Sequence, residues 1–277
     1  MTGRSKRRCS VAALGCAAVA LGGIGVAEGQ NGGTIRSELD RESRIEAKKL
    51  SNSIADPKVA RSAAFSAKPP YGPVAGVSTK RLAGFPLQGK SFLILSTGSV
   101  DRADNPNSNG SSGRNAGGPE IRGARDVTMF RINLQVPKGR NCLRVRFRFL
   151  TEEFPEFVNE EFNDAFIMEL DETTWDTGSV GEPKVEAPRN FATDAEGRLI
   201  SVNAVGDTSL TKARAKGTTY DGATRRLRAS TRITPGPHRL YLSIFDQGDR
   251  QFDSAAFVDR LTLVRSANCQ SGVVKDD

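Results

Sequence analysis

Two short stretches of this 277-residue chain hold the side chains best suited to chemistry. Glu152, Glu153, Asn163 and Asp164 form one cluster; Asp246, Asp249 and Asp253 form the other. Carboxylate and amide oxygens without histidine or thiolate are the ligands of a hard cation such as Ca²⁺. Brought together, the acids would repel one another unless a cation neutralised them. All seven residues are candidate metal ligands, with Glu153, Asp164, Asp246 and Asp249 foremost and Asp253 placed to orient a ligand or cap the following turn. Kept apart, the same residues would cap turns, which Asp and Asn favour for their own hydrogen bonds, and would pair with nearby Lys and Arg.

Both clusters sit at the ends of predicted strands. Leu143, Val145, Phe147 and Phe149 alternate with Arg144, Arg146 and Arg148, so one face is buried and the arginine face is solvated. Thr128, Phe130, Ile132, Leu134 and Val136 alternate in the same way, and Pro137-Lys-Gly139 predicts a hairpin into the Cys142 strand. Further strands are expected at 92–96, 165–170, 199–204, 227–233, 239–245 and 256–264. An irregular excursion holding Trp175 lies between Leu170 and Leu199, and a mobile Gly/Asn/Ser loop runs from Asp101 to Gly118. Many short strands and frequent Gly/Pro turns imply an all-β fold, an antiparallel two-sheet sandwich of jelly-roll-like form over residues 71–269. In such a sandwich, strand ends far apart in sequence share a rim, where the two clusters can meet. Residues 28–70 read as a flexible arm, partly helical between Glu38 and Asn52, and 270–277 as a tail.

The N-terminus reads as an export signal. Arg4, Lys6, Arg7 and Arg8 precede a small-residue apolar run to Ala27, and Gly25-Val-Ala27 suits signal peptidase. The alternative is an uncleaved N-terminal membrane anchor, although the run is short and Gly/Ala-rich for a span. After cleavage no stable membrane insertion is expected. The whole chain carries +8; residues 1–27 hold four of the 40 Lys and Arg and none of the 32 Asp and Glu, which leaves 36 against 32, a net +4. With no basic cluster interleaved with aromatics, nucleic acid is not an expected partner. Cys9 and Cys16 leave with the signal, and Cys142 and Cys269 remain as a pair that reads as one disulfide in an exported protein.

Several ordered blocks resemble the choice-of-anchor domain of the L type, found in exported bacterial surface proteins. They are Leu95-Ser-Thr-Gly98, Asp126-Val-Thr-Met-Phe-Arg-Ile-Asn-Leu134, Phe149-Leu-Thr-Glu-Glu-Phe-Pro-Glu-Phe-Val158 and Phe162-Asn-Asp-Ala-Phe166. Ile200-Ser-Val-Asn203, Tyr220-Asp-Gly-Ala-Thr224, Phe245-Asp-Gln-Gly-Asp249 and Phe252-Asp-Ser-Ala255 follow in the same order. The resemblance spans about 75–265 and implies a β-sandwich, usually joined to a separate cell-surface anchor. The chain ends Gln270-Ser-Gly-Val-Val-Lys-Asp-Asp277 without a C-terminal span or sorting signal, so free secretion is expected over such retention, with a periplasmic or cell-surface location as the alternative.

Three functional classes follow. The first is an exported non-catalytic binding or adhesion module, Ca²⁺-stabilised, whose partner is a surface polysaccharide or protein. The second is a structural envelope or matrix component that makes contact through the arm. The third is a carboxylate-based glycan hydrolase using Glu152, Glu153 or Glu156, which needs an acid and a base or nucleophile about 5–10 Å apart. Adjacent residues of an extended strand point to opposite faces, so Glu152 and Glu153 cannot share one cleft there. The aromatics beside them, Phe154, Phe157, Phe162 and Phe166, read as core before they read as a sugar-stacking platform.

Overall fold

The computed structural model describes residues 43–107, 115–178 and 184–276. The expected signal segment, the start of the arm and part of the 101–118 loop lie outside the described residues. After a helix α1 (residues 43–52) come β1 (Ala60–Ala67), β2 (Ala75–Ser78), β3 (Phe92–Ser96), β4 (Arg125–Val136), β5 (Cys142–Thr151) and β6 (Ala165–Leu170). They are followed by β7 (Ile200–Ser201), a short helix α2 (Lys212–Ala215), β8 (Gly222–Ala223), β9 (Leu227–Arg232), β10 (Gly236–Asp246), β11 (Ser254–Val264) and β12 (Gly272–Lys275).

The strands form the antiparallel two-sheet sandwich that the alternation implies. One sheet runs β1-β4-β10-β6-β7; the other runs β12-β9-β5-β11-β3-β2, with β8 also paired to β5. The alternating residues Phe130, Ile132 and Leu134 of β4 and Leu143, Val145 and Phe147 of β5 meet in one core between the sheets. Strands β3 and β6 are buried on both faces because loops add a second layer on each side. Phe85 and Tyr220 pack on Phe257 outside the larger sheet, and Trp175 stacks on Phe245 at 4.5 Å outside the smaller one.

The expected hairpin between β4 and β5 does not form. β4 pairs with β1 and β10, whereas β5 pairs with β9 and β11 in the opposite sheet. Pro137-Lys-Gly139 therefore carries the chain across the sandwich. Alternation says only that both strands bury one face in a shared core, and a hairpin and an inter-sheet arch satisfy it equally. The chain likewise changes sheet between β3 and β4, β5 and β6, and β10 and β11.

Both ends of the sandwich extend beyond the expected 71–269. Residues 43–67, read from the sequence as part of a flexible arm, contain α1 and the edge strand β1, whose Phe65 packs on Phe130 at 5.2 Å. Ala47, Leu50 and Ile54 of the α1 segment recur at helical spacing and join the core. The expected tail contributes β12, paired to β9. The arginine face of β5 is half-buried instead of fully solvated: Arg146 pairs with Asp276, and Arg148 Nη1 donates to the carbonyls of Ala83 and Arg214 at 2.6 and 3.2 Å.

Cys142 and Cys269 are disulfide-bonded, with Cα atoms 5.7 Å apart. The bond ties the start of β5 to the segment between β11 and β12, across 127 residues of chain.

Candidate metal centre

Three connections between the sheets lie at the same rim: the β3–β4 connection, described at 97–107 and 115–124, and the arches 152–164 and 247–253. The last two carry the carboxylates. Thr151 pairs with Ser254 at the end of β5, and Phe245 with Ala165 at the end of β10, so the strand register brings the two arches together. The clusters recognised in sequence therefore meet.

Asp164 lies at the centre, fully buried. Its Oδ2 takes the Ser254 hydroxyl at 2.7 Å and its Oδ1 the Gln247 backbone N–H at 3.0 Å. Burial nonetheless pushes its pKa up to about 7, against the lowering effect of these hydrogen bonds. Glu153 is pushed up to about 10 by burial, then by the charges of Asp164 and Asp249. Asp246 is raised by burial first and by Asp164, Asp253 and Asp126 after it. Among the described residues, neither oxygen of Asp246 makes a hydrogen bond of good geometry, although Thr97 and Asp164 lie close enough for side-chain contact, Thr97 acting against the rise and Asp246 in turn lowering Asp164. Glu153 Oε2 and Gln247 Oε1 are also buried without a partner.

The remaining candidates divide. Asp249 is half-buried, and its Oδ1 accepts the Gln251 N–H at 2.9 Å while its charge reaches Glu153. Glu152 turns away from Glu153 to Thr219, whose Oγ1 is 3.4 Å from its Oε1. Glu152 and Asp253 flank Tyr220, whose phenol is pushed up by burial, then by Asp253 and, after the opposing hydrogen bond to Ser96, by Glu152. Asn163 serves the fold: its Oδ1 accepts the Asn203 backbone N–H at 3.1 Å. Among the described residues, no group of three or more His, Cys, Asp or Glu stands arranged to hold a metal ion.

Sequence reasoning missed four participants. Asp126 is fully buried, accepts the N–H groups of Ala116 and Gly118 at 3.0 and 3.3 Å, and pairs with Arg250 at 2.5 Å. Thr97 Oγ1 accepts the Ser254 N–H at 3.0 Å. Ser254 links the β5 end to Asp164 through Thr151 Oγ1 at 2.9 Å. Gly98 lies so close to Asp253 that an added Cβ would fall 1.6 Å from Oδ2. All four belong to the blocks Leu95–Gly98, Asp126–Leu134 and Phe252–Ala255, which was the available signal. Of the aromatics, Phe166 is core, whereas Phe157 and Phe162 join Phe252 in a half-buried trio, with ring centres 5.4 Å (Phe157–Phe162) and 5.0 Å (Phe157–Phe252) apart, that pins the two arches together.

Fold and rim together define a jelly-roll-like β-sandwich with a buried carboxylate centre under its inter-sheet arches. The choice-of-anchor L domain profile matches residues 58–263, and the chain belongs to that family. Domains of the family are typically extracellular and surface-located. No helix among the described residues is long and apolar enough to cross a membrane. A search of curated proteins finds no match. Among solved structures, TmCBM61 in complex with β-1,4-galactotriose aligns at 11% identity and TM-score 0.33, over 78% of this chain and 97% of the other. The enzymatically active domain of bacteriophage CBA120 tailspike protein 4 aligns at 8% identity and TM-score 0.28, over 77% of this chain and 21% of the other. Neither superposition is close enough to transfer a site.

Proposed function

We propose that this chain is an exported, non-catalytic binding module of the bacterial cell surface or its surroundings, and that its rim binds Ca²⁺ between the 152–164 and 247–253 arches. One observation carries the cation reading: Asp246 is buried against Asp164, and among the described residues neither of its carboxylate oxygens makes a hydrogen bond of good geometry, with Thr97 the one hydroxyl close to it. A buried carboxylate without compensation costs several kcal/mol, a cost that a proton or a cation removes. The donor set suits a hard cation, since Asp246, Asp164, Glu153 and Asp249 offer only oxygen. Those four would hold the ion and Gln247 Oε1 would supply a neutral ligand. Because no trio stands ready-made, binding would draw the two arches together, and the ion would stabilise the rim without entering a reaction.

The binding reading is supported by membership of a surface-domain family and by the burial of two of the three acids named for a hydrolase, Glu156 alone being exposed. Glu152 and Glu153 are 3% and 1% exposed and turn to different neighbours, so they do not face a substrate together. The test joins two measurements. Ca²⁺ at about 100 times its dissociation constant should add about 2.7 kcal/mol of stability over EDTA, and Asp246→Asn should abolish the gain. The protein should also co-sediment saturably with insoluble cell-wall polysaccharide or with cells. Coincident melting curves would overturn the cation reading, absent co-sedimentation the binding reading, and glycan turnover lost in Glu153→Gln the non-catalytic one.

A further inference from the structure

Among the described residues, the chain's own loops cover the outer face of the five-stranded sheet only near the carboxylate rim. There Trp175 packs on Met129, Ile167 and Phe245. Farther along the strands no described segment covers the face. Arg131 of β4 stands opposite Tyr241 of β10, and Asn133 stands opposite Arg239. Arg131 and Arg239 are thus diagonal neighbours on adjacent strands, with Cα atoms about 7–8 Å apart. β1 sets Ala64 beside Arg131 and Ser62 beside Asn133, and these small residues leave the edge low. A shallow groove of about 440 Å³ runs between Arg131, Asn133, Asp171, His238 and Arg239.

The charges in this groove are unbalanced. Among the described residues, neither arginine side chain has an ion-pair or hydrogen-bond partner, and Arg131 Nε is buried without one. Among the described residues, Asp171 is the only acid lining the groove, and its oxygens are taken up by His238 Nδ1 at 2.9 Å and by the Arg239 backbone N–H at 3.0 Å. Like charges on neighbouring strands repel, and an anion between them relieves the repulsion. Guanidinium forks match carboxylate oxygens two at a time. Half-buried Tyr241 lies at the border of the groove, between Arg131 and Glu169 of β6 and partly packed on the Trp175 layer, where its remaining exposed surface adds an amphipathic flank of the kind that covers a sugar ring.

We infer that this open end of the sheet binds an acidic polysaccharide, with uronate carboxylates held between Arg131 and Arg239 and a sugar ring against Tyr241. The inference rests on the binding-module reading and names its ligand class. A glycan fits better than nucleic acid because one tyrosine and two arginines do not make a track of stacking platforms along a basic groove.

The test titrates the full-length protein with hyaluronan, whose repeat carries one glucuronate, alongside neutral dextran and single-stranded DNA, at about 50 and about 200 mM salt. Hyaluronan should bind saturably and more weakly at the higher salt. Arg239→Ala should weaken it about tenfold, as expected for one lost charge-assisted contact, with the melting temperature unchanged. Arg131→Ala should do the same and Arg131→Lys should fall between. Because Arg239 is exposed, its variant decides the matter if Arg131→Ala does not fold. Unchanged hyaluronan affinity in Arg239→Ala, equal binding of dextran, or preference for DNA would each overturn the inference. If the protein co-sediments with cell-wall polysaccharide yet ignores hyaluronan, the binding-module reading stands and the acidic-ligand inference falls. If it does neither, both fall.

Discussion

Glu153 makes the rim's chemistry measurable without knowledge of any partner. Its carboxyl is held protonated up to about 10, where an ordinary glutamate titrates near 4.5. The metal-free folded chain therefore binds a proton that the unfolded chain has released throughout that window. Stability present below the ordinary glutamate range is lost as the pH rises toward 10. Between pH 7 and 9 the difference is close to one proton, worth about 1.4 kcal/mol per pH unit, or roughly 3 kcal/mol. For a domain of this size that is roughly 5–10 °C in melting temperature. Asp164, pushed up to about 7, is already titrating where the window starts, and Asp246, also raised by burial, adds to the slope, so the share that belongs to Glu153 is the difference between wild type and variant. The assay is calorimetric melting in EDTA at pH 7, 8 and 9 for wild type and Glu153→Gln, whose amide keeps the shape and removes the proton. Both should lose stability with pH, the wild type more steeply, by about 1.4 kcal/mol per pH unit. Excess Ca²⁺ should flatten or reverse the wild-type slope, because the cation competes with the proton for the same oxygens. A metal-free melting temperature that is flat or rises between pH 7 and 9, or a fall of equal size in Glu153→Gln, would refute this account of the rim.

Two further outcomes follow from the same geometry. Gly98→Ala places a Cβ 1.6 Å from Asp253 Oδ2, so the β3 end and the 247–253 arch must separate; melting should show a loss of about 2 kcal/mol or more and a smaller Ca²⁺ gain. Replacing Cys142 and Cys269 together by Ala releases the chain over the 127 residues that the disulfide now spans, and denaturant titration should register a loss of up to about 4–5 kcal/mol with the Ca²⁺ gain retained.

The sequence disclosed the strands that bury one face, because period-2 alternation is a local signal: β4, β5, β10 and β11 lie close to where their apolar residues put them. It did not disclose where the chain changes sheet. The proline-glycine turn after β4 looks the same whether it closes a hairpin or spans the sandwich, and only pairing partners beyond residue 200 decide between them. The helical character of α1 was legible between Glu38 and Asn52, but its place in the core, and β1, were hidden for a different reason. Ala47, Ala60 and Ala63 are buried small residues, which contribute little hydrophobic contrast to a pattern though they pack fully.

The carboxylate centre was legible for a reason that the missed hairpin makes clear. The β5–β6 and β10–β11 connections are both inter-sheet arches, and an arch must turn its backbone across the end of the core, where Asp, Asn and Gly accumulate. Two arches at one rim therefore place their polar residues over the same apolar layer. Most such residues satisfy backbone donors, as Asn163 does for Asn203 and Asp126 for Ala116 and Gly118. Among the described residues, Asp246 and Glu153 keep buried oxygens that no donor meets in good hydrogen-bond geometry. Turn chemistry explains the first group and not the second. That residue-by-residue difference, which spacing alone cannot show, directs the search for a cation to Asp246 and Glu153 and leaves Asn163 to the fold.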